Sequence, residues 1–184
     1  MHRELLLATL LLSCTNMPLP TFTAPGRGTH WDMKEFLNTS EAIWTYATSS
    51  SRDVKCEVNK MIYISNSEIV YQRKFLWEKR RCEVDLRGKF FRLYSDRMTV
   101  ESSSQRYLCT EILLYLAGDL SCAVFKILKP YTAHDGIRYE VRVRNSSLVR
   151  VVPHGDCKRQ FDKARQRRVA YYSYNPNCQH VFLQ

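Results

Sequence analysis

Apolar and charged residues alternate most regularly between residues 137 and 144. The apolar set is Ile137, Tyr139, Val141 and Val143, and the charged set is Arg138, Glu140, Arg142 and Arg144. A period of two predicts a β-strand with its two sets of side chains on opposite faces of a sheet.

Other short segments also read as strands. They are residues 43–48, 54–64, 69–78, 82–86, 89–94, 98–101, 107–117 and 120–128. Gly118-Asp119 lies between the last two and indicates a hairpin. Because no helical crossovers separate these segments, a parallel sheet is excluded. The sequence predicts eight or nine antiparallel strands in series, as a sandwich or an up-and-down barrel.

A helix is predicted on each side of the strands. Within residues 29–42, Trp31, Phe36 and Leu37 share a helical face. After Pro153, a second apolar face recurs at Cys157, Phe161 and Ala164, and lysines and arginines occupy the rest of that segment. The second segment predicts a basic amphipathic helix, so the fold class is all-β with flanking helices.

The first residues predict export. Leu5–Leu12 is an apolar run, too short to span a bilayer but long enough for a signal peptide. We expect residues 1–24 to be the signal, with cleavage between Ser13 and Gly26, and residues 25–184 to form one domain without a membrane span. Alternatively, Leu11-Leu12-Ser13-Cys14 resembles a bacterial lipobox, which would lipidate Cys14.

Six cysteines remain after the signal: Cys56, Cys82, Cys109, Cys122, Cys157 and Cys178. An even set in an exported chain predicts three disulfides, whose pairing the spacing leaves open. The sequence contains no C-x-x-C, H-E-x-x-H or G-x-S-x-G motif, so we expect no metal, cofactor or catalysis. Asn38 and Asn145 begin N-glycosylation triplets.

The chain is basic. Its 28 lysines and arginines exceed its 18 acidic residues, giving a net charge of +10. Together with helical residues 159–168, the charged strand face at Arg138, Arg142 and Arg144 could form a basic outer face for a host protein or a glycosaminoglycan. We expect no nucleic acid partner, since the chain carries no known binding motif.

Several segments resemble the tick salivary lipocalins, the histamine-binding-protein family. They are Glu41-Ala42-Ile43-Trp44, Val54-Lys55-Cys56-Glu57-Val58, Ser121-Cys122-Ala123-Val124-Phe125, Tyr139-Glu140-Val141, Cys157 four residues before Phe161, and the late Cys178. The resemblance implies an eight-stranded lipocalin barrel. It also implies disulfides Cys56–Cys178 and Cys122–Cys157, which leaves Cys82 and Cys109 to pair. The implied activity is monomeric capture of a host mediator: histamine, serotonin, a leukotriene or a sterol.

An amine inside a barrel needs a buried carboxylate. Glu111 occupies the position at which amine-binding relatives carry an acid, and Glu83 is a second candidate. Two orientations are open for the Glu111 strand. Either Glu111 points inward, or the more apolar alternate residues do and Glu111 faces water.

An apolar ligand needs an aromatic cavity instead. The candidate lining residues are Phe75, Trp77, Phe91, Tyr107 and Phe125. The sequence therefore predicts a barrel that binds an amine or a lipid, and the alternative is a protein-binding inhibitor that acts through its loops and basic outer face.

Overall fold

The computed structural model describes residues 31–51, 54–130, 136–150 and 155–183. Its helices are α1 (Met33–Leu37), α2 (Gly155–Arg165) and α3 (Asn177–Phe182), with a 3-10 helix at Asn145–Arg150. Its strands are β1 (Ile43–Thr48), β2 (Val54–Ile64), β3 (Glu68–Trp77), β4 (Arg80–Phe90), β5 (Arg97–Ser102), β6 (Tyr107–Leu116), β7 (Cys122–Leu128), β8 (Ile137–Arg144) and β9 (Tyr171–Tyr172). The predicted signal peptide lies outside the described residues.

The strands form a closed antiparallel barrel. Sequential strands β2 to β8 pair in order, β8 pairs with β1, and β1 returns to β2 at Ile43↔Asn59 and Trp44↔Val58. Short β9 adds to β1 at Ala47↔Tyr172. The prediction of an eight-stranded up-and-down barrel with flanking helices is confirmed.

Strand β4 corrects one boundary prediction. The sequence analysis placed two short strands at 82–86 and 89–94, whereas the structure has one strand that continues through Gly88. A Cβ at Gly88 would lie 2.6 Å from Met98 Sδ and 2.8 Å from Ile69 Cγ2. Gly88 therefore marks a close approach of neighbouring side chains inside the barrel, not a turn.

Helix α1 closes one end of the barrel. Its Met33, Phe36 and Leu37 are buried against the interior apolar residues. The helix begins at Asp32, whose carboxylate accepts a hydrogen bond from the Lys34 backbone N–H at 2.9 Å. Arg144 Nη2 donates to the carbonyls of Glu35 and Phe36. We call this the closed end, and the opposite end, at the β5–β6 turn, the open end.

Helix α2 covers the outside of the barrel. A second apolar cluster lies beneath it and includes Val124, Val141, Val143 and Phe161. Disulfides Cys122–Cys157 and Cys56–Cys178 tie α2 and the C-terminal tail to this outer face, as predicted. Within the described residues, no helix is long and apolar enough to cross a membrane.

The predicted third disulfide is wrong, because Cys82 and Cys109 are free thiols. Cys82 lies on β4 and Cys109 on β6, and β5 runs between those strands. Two inter-strand spacings of about 4.8 Å exceed the reach of a disulfide, whose Cα atoms lie at most about 7 Å apart.

Candidate functional site

The charged face of β8 points into the barrel. Its apolar residues Val141 and Val143 pack outward under α2, so Glu140 and Arg142 face the interior. Both are almost fully buried, with relative exposures of 2% and 1%. The prediction that Arg138 and Arg142 belong to an outer basic face is therefore wrong, because both pair with glutamates inside the barrel. Helix α2 covers the outside of β8, so the apolar side chains of this strand face outward.

Glu111 also faces inward and is fully buried. Of the two open orientations of its strand, the inward one is correct, since Cys109 and Leu113 are buried and Leu108 and Leu114 are exposed. The Glu111 carboxylate accepts two hydrogen bonds from Arg142, Nη1 to Oε2 at 2.6 Å and Nη2 to Oε1 at 2.8 Å. Such a bidentate pair is strong and fixed in geometry.

Arg142 is the centre of a larger group, which we call the ion-pair cluster. Its members are Glu57, Arg73, Glu111, Arg138, Glu140 and Arg142. Arg142 Nη2 and Arg138 Nε donate to the two oxygens of Glu140 at 2.7 and 2.6 Å. The Arg142 guanidinium also lies 4.5 Å from the centre of the Phe125 ring, a cation–π contact.

Electrostatics keeps Glu140 and Arg142 ionised. Burial opposes ionisation of Glu140, but Arg138 and Arg142 outweigh it and hold the pKa of this carboxyl well below its ordinary value. Burial likewise opposes the charge on Arg142, and Glu111 and Glu140 outweigh it, so the pKa of Arg142 is raised. Three carboxylates thus face three guanidiniums inside the barrel, and the cluster is neutral.

Two buried donors at the edge of the cluster make no hydrogen bond within the protein. Arg73 Nε donates to Asn59 Oδ1 at 2.8 Å, but Arg73 Nη2 has no hydrogen-bond partner and lies 3.6 Å from Glu111 Oε1. The Tyr71 hydroxyl is also buried without a partner. Burial raises the pKa of Tyr71, so the hydroxyl keeps its proton.

A cavity of about 370 Å³ lies beside Arg73 and reaches the open end. Its lining comprises Arg73, Leu86, Val100, Arg106, Tyr107, Leu108, Cys109, Lys129, Pro130 and Arg138. Burial raises the pKa of the Cys109 thiol to about 12, so this thiol stays protonated. The volume falls within the range of small-molecule sites.

A larger groove of about 550 Å³ lies at the closed end, between α1 and the β2–β3 turn. It is more open to solvent, and its lining includes Asp32, Lys34 and Glu35, outside the barrel. A third pocket, of about 30 Å³, is lined by Glu57, Arg138 and Glu140 but is too small for a ligand. We assign the candidate site to the open-end cavity, because it is large enough for a small molecule and is lined by Arg73 and Arg138 of the cluster.

The other predicted site residues separate into three groups. Tyr107 lines the cavity, and its hydroxyl shares a 2.8 Å hydrogen bond with Thr110 Oγ1. Phe125 lies buried beneath Arg142. Phe75 is half-buried and Trp77 is exposed at the end of β3, and neither lines the cavity.

Two predicted ligand residues, Glu83 and Phe91, do not line the cavity. Glu83 is exposed on β4 and pairs with Lys74 at 3.5 Å. Phe91 follows β4 at the closed end and is also exposed. The alternation of side chains along β4 places Glu83 and Cys82 on opposite faces of the strand. It does not show which of the two faces points into the barrel.

The glycosylation sites differ in their surroundings. Asn38 is exposed at the end of α1. Asn145 is half-buried, and its Oδ1 accepts hydrogen bonds from Trp44 Nε1 at 2.9 Å and Gln179 Nε2 at 3.2 Å. Glycosylation of either residue stays a prediction.

The sequence analysis did not identify four residues as interior groups: Glu57, Tyr71, Arg73 and Arg138. For Glu57, the expected disulfide at Cys56 could have indicated the inward face of β2. Cys56 joins the outer tail, so its face of β2 points outward and the adjacent Glu57 points inward. Here Glu57 Oε1 accepts a hydrogen bond from Thr45 at 2.8 Å.

No family model and no curated protein matches the sequence. Among solved structures, the serotonin complex of AM182 matches with a TM-score of 0.62 at 18% identity, over 82% of this chain and 94% of that one. Japanin from Rhipicephalus appendiculatus, bound to cholesterol, matches with a TM-score of 0.54 at 8% identity, over 74% of this chain and 95% of that one.

The siderocalin Ex-FABP, described as having dual ligand specificities, matches with a TM-score of 0.51 at 14% identity, over 70% of this chain and 85% of that one. The closed antiparallel barrel with its flanking helices is consistent with the lipocalin fold of these structures. At these identities the likeness is one of fold, and this chain has the lipocalin fold.

Proposed function

We propose that this chain is a secreted salivary lipocalin of the tick type, which sequesters a small host mediator in its barrel and so suppresses host inflammation or immunity. One observation supports the proposal: a cavity at one end of the barrel is lined by Arg73, whose buried Nη2 is paired with Glu111 at 3.6 Å but donates no hydrogen bond within the protein. Buried polar atoms are nearly always satisfied, and an orphan in a cavity indicates a missing partner.

The similar structures support binding rather than catalysis. AM182 is in complex with serotonin and Japanin with cholesterol, so barrels of this fold hold both an amine and a lipid. Two disulfides support an oxidising, extracellular environment.

A protein-binding role through the basic outer face has less support. Arg138 and Arg142 are inside the barrel, and Arg165 is already bonded to Asp162 at 2.7 Å. The outer basic surface is therefore smaller than the sequence implied.

The test is native mass spectrometry of protein secreted from eukaryotic cells, alone and with histamine, serotonin, a leukotriene and cholesterol. A one-to-one adduct is expected, weakened in Leu86→Trp, which narrows the cavity, and retained in Leu114→Trp. Leu86 is buried on β4 and lines the cavity, whereas Leu114 is exposed on the outside of β6. An unliganded spectrum with every compound would refute the proposal.

A further inference from the structure

One edge of strand β4 is unpaired at the open end. Residues 80–85 pair with β3 on one side, without a register shift. On the other side, β5 ends at Ser102, which lies opposite Leu86. Within the part of the chain that the structure describes, no strand covers residues 80–85 on that side, and all six are exposed or half-buried. Such an exposed edge is a template for pairing with another strand.

The free backbone groups of this edge belong to its odd-numbered residues. In an antiparallel sheet, successive residues direct their N–H and C=O groups to opposite sides of the strand. At the far end of β4, the Phe90 N–H donates to Ser67, just before β3, whereas the Phe91 N–H donates to Arg97 of β5. Because β4 pairs regularly with β3, the odd-numbered residues between 80 and 85 also direct their backbone groups away from β3.

The outward side chains of this edge follow a self-complementary order of charge. Leu86 is buried and lines the cavity, so the even-numbered residues of β4 face inward and the odd-numbered ones face outward. From the β3–β4 turn onward, two cations precede two anions: Lys79, Arg81, Glu83 and Asp85. Glu83 also pairs with Lys74 of β3 at 3.5 Å, on the opposite side of the strand. The edge therefore carries charges that a second, antiparallel copy can match.

The charges select one register between two such copies. With Cys82 opposite its counterpart in the second copy, Arg81 lies opposite Glu83. Lys79 then approaches Asp85, and two-fold symmetry repeats both pairs. Moving the axis by one residue brings Arg81 opposite Arg81, or Glu83 opposite Glu83, and moving it by two again brings like charges together. Since like charges directly opposite destabilise a strand pair, the edge favours the register centred on Cys82.

The inward side of the same pairing is apolar at its centre. Phe75 lies beside Cys82 on β3, so the register places two phenylalanines and two cysteines in one row across the paired strands. Trp77 and Val84, which are 43% and 41% exposed, flank this row on the same face. Association of two copies therefore covers apolar surface as well as matching charges.

We infer that two copies of this chain associate through the β4 edge, with residues 80–84 of each copy paired antiparallel and Cys82 at the two-fold axis. This interaction needs no ligand, so it goes beyond the proposed function, and it replaces the monomer that the resemblance implied. Five residues from each copy make a small interface, which is typical of weak complexes. The expected dissociation constant is therefore about 10–100 μM.

Sedimentation velocity of the full secreted chain tests the association. Over a concentration range of about 1–500 μM, the protein should pass from monomer to dimer. Arg81→Glu places like charges opposite one another on both sides of the axis and should weaken the dimer at least about tenfold. Arg92→Glu makes the same charge change at an exposed position away from the edge and should leave the dimer unchanged.

A charge exchange separates pairing from a local effect of either residue. Glu83→Arg alone should weaken the dimer as much as Arg81→Glu does, because it brings two arginines together. The double variant, Arg81→Glu with Glu83→Arg, restores opposite charges across the axis and should restore the dimer. Both side chains are exposed, so thermal unfolding of the monomer should not change.

Cys82 provides a chemical measurement of the register. Diamide joins two thiols in one disulfide and takes up their two hydrogen atoms. Directly opposite Cα atoms of a non-hydrogen-bonded pair lie about 4.5 Å apart, within the range of a disulfide. Diamide should therefore give a covalent dimer on a non-reducing gel. Val84→Cys in a Cys82→Ser background is the matched control, since its two thiols lie four residues apart along the strands, about 13 Å, and should not join.

A protein that stays monomeric at every concentration would overturn the inference. A dimer that persists in Arg81→Glu, or that the charge exchange fails to restore, would place the interface elsewhere and overturn it as well. Equal crosslinking through Cys82 and through Val84→Cys would contradict the register.

Discussion

Arg142 holds two carboxylates in the least accessible part of the barrel. It bonds Glu111 through two nitrogens and Glu140 through Nε and Nη2, above the ring of Phe125. A buried ion pair contributes little net stability, because desolvation offsets the attraction, yet removing one partner leaves a buried charge unmet. The intact cluster is therefore expected to add little net stability, whereas loss of one member should be strongly destabilising.

Arg142→Met should be strongly destabilising. The change removes the guanidinium that binds the buried carboxylates of Glu111 and Glu140. The free energy of unfolding should therefore fall by about 3–5 kcal/mol. Urea denaturation followed by circular dichroism measures it. The exposed control Arg167→Met should lose less than about 0.5 kcal/mol. Equal losses in the two variants would mean that the cluster does not form.

Acid should weaken the fold through Glu140. Its pKa is held below the ordinary value of 4.5 in the folded state, despite burial, by Arg138 and Arg142. The unfolded chain then binds more protons than the folded one at acid pH. Stability should be fully present above about pH 4.5 and fall as pH is lowered further, measured as the urea midpoint from pH 6 to 3. Glu140→Gln should flatten this dependence; an unchanged slope would contradict the assignment.

At the scale of elements, the strands were predictable and their inward faces were not. Residues 43–48, 54–64 and 137–143 agree closely with β1, β2 and β8, because alternation is a local property. Which face turns inward depends on α2, which lies far along the chain and supplies outer apolar contact for Val141 and Val143. A strand covered on its outside can turn its charged face inward, and alternation alone does not distinguish the two cases.

Gly88 is expected to resist substitution. A Cβ there meets Met98 and the stiff, branched side chain of Ile69, so Gly88→Ala should cost about 1–3 kcal/mol through overpacking. Chemical denaturation gives the value. Gly118→Ala is the matched control, because nothing lies within 4 Å of a Cβ at Gly118. An unchanged free energy of unfolding in Gly88→Ala would show that β4 is interrupted at this point.

The cysteines give a direct chemical prediction. The mature chain, denatured without reductant and treated with N-ethylmaleimide, should gain two adducts, at Cys82 and Cys109. In the native protein, Cys82 should react first, because Cys109 is buried and its pKa is raised by burial to about 12. Mass spectrometry counts the adducts. A chain without free thiols would restore the third disulfide.

At the scale of the whole molecule, the barrel interior has an apolar part and a polar part. Phe36 of α1 packs with interior apolar residues such as Leu113 and Phe125 towards the closed end. The cavity lies towards the open end, and Arg73 and Arg138 of the ion-pair cluster line it. The sequence predicted the barrel, the flanking helices and the inward option for Glu111. It did not predict the partner of Glu111, because Arg142 comes from β8, and the intervening β7 separates the two strands. Such contacts depend on barrel closure and register.

The central claim is that the open-end cavity is the ligand site and that Arg73 contacts the ligand. A crystal structure of the secreted protein, soaked with the compound captured in the native mass spectra, tests it most directly. The account predicts density for one molecule in the cavity, with an acceptor atom within hydrogen-bond distance of Arg73 Nη2. Ligand density elsewhere on the protein, or only water in the cavity at a saturating concentration, would contradict it.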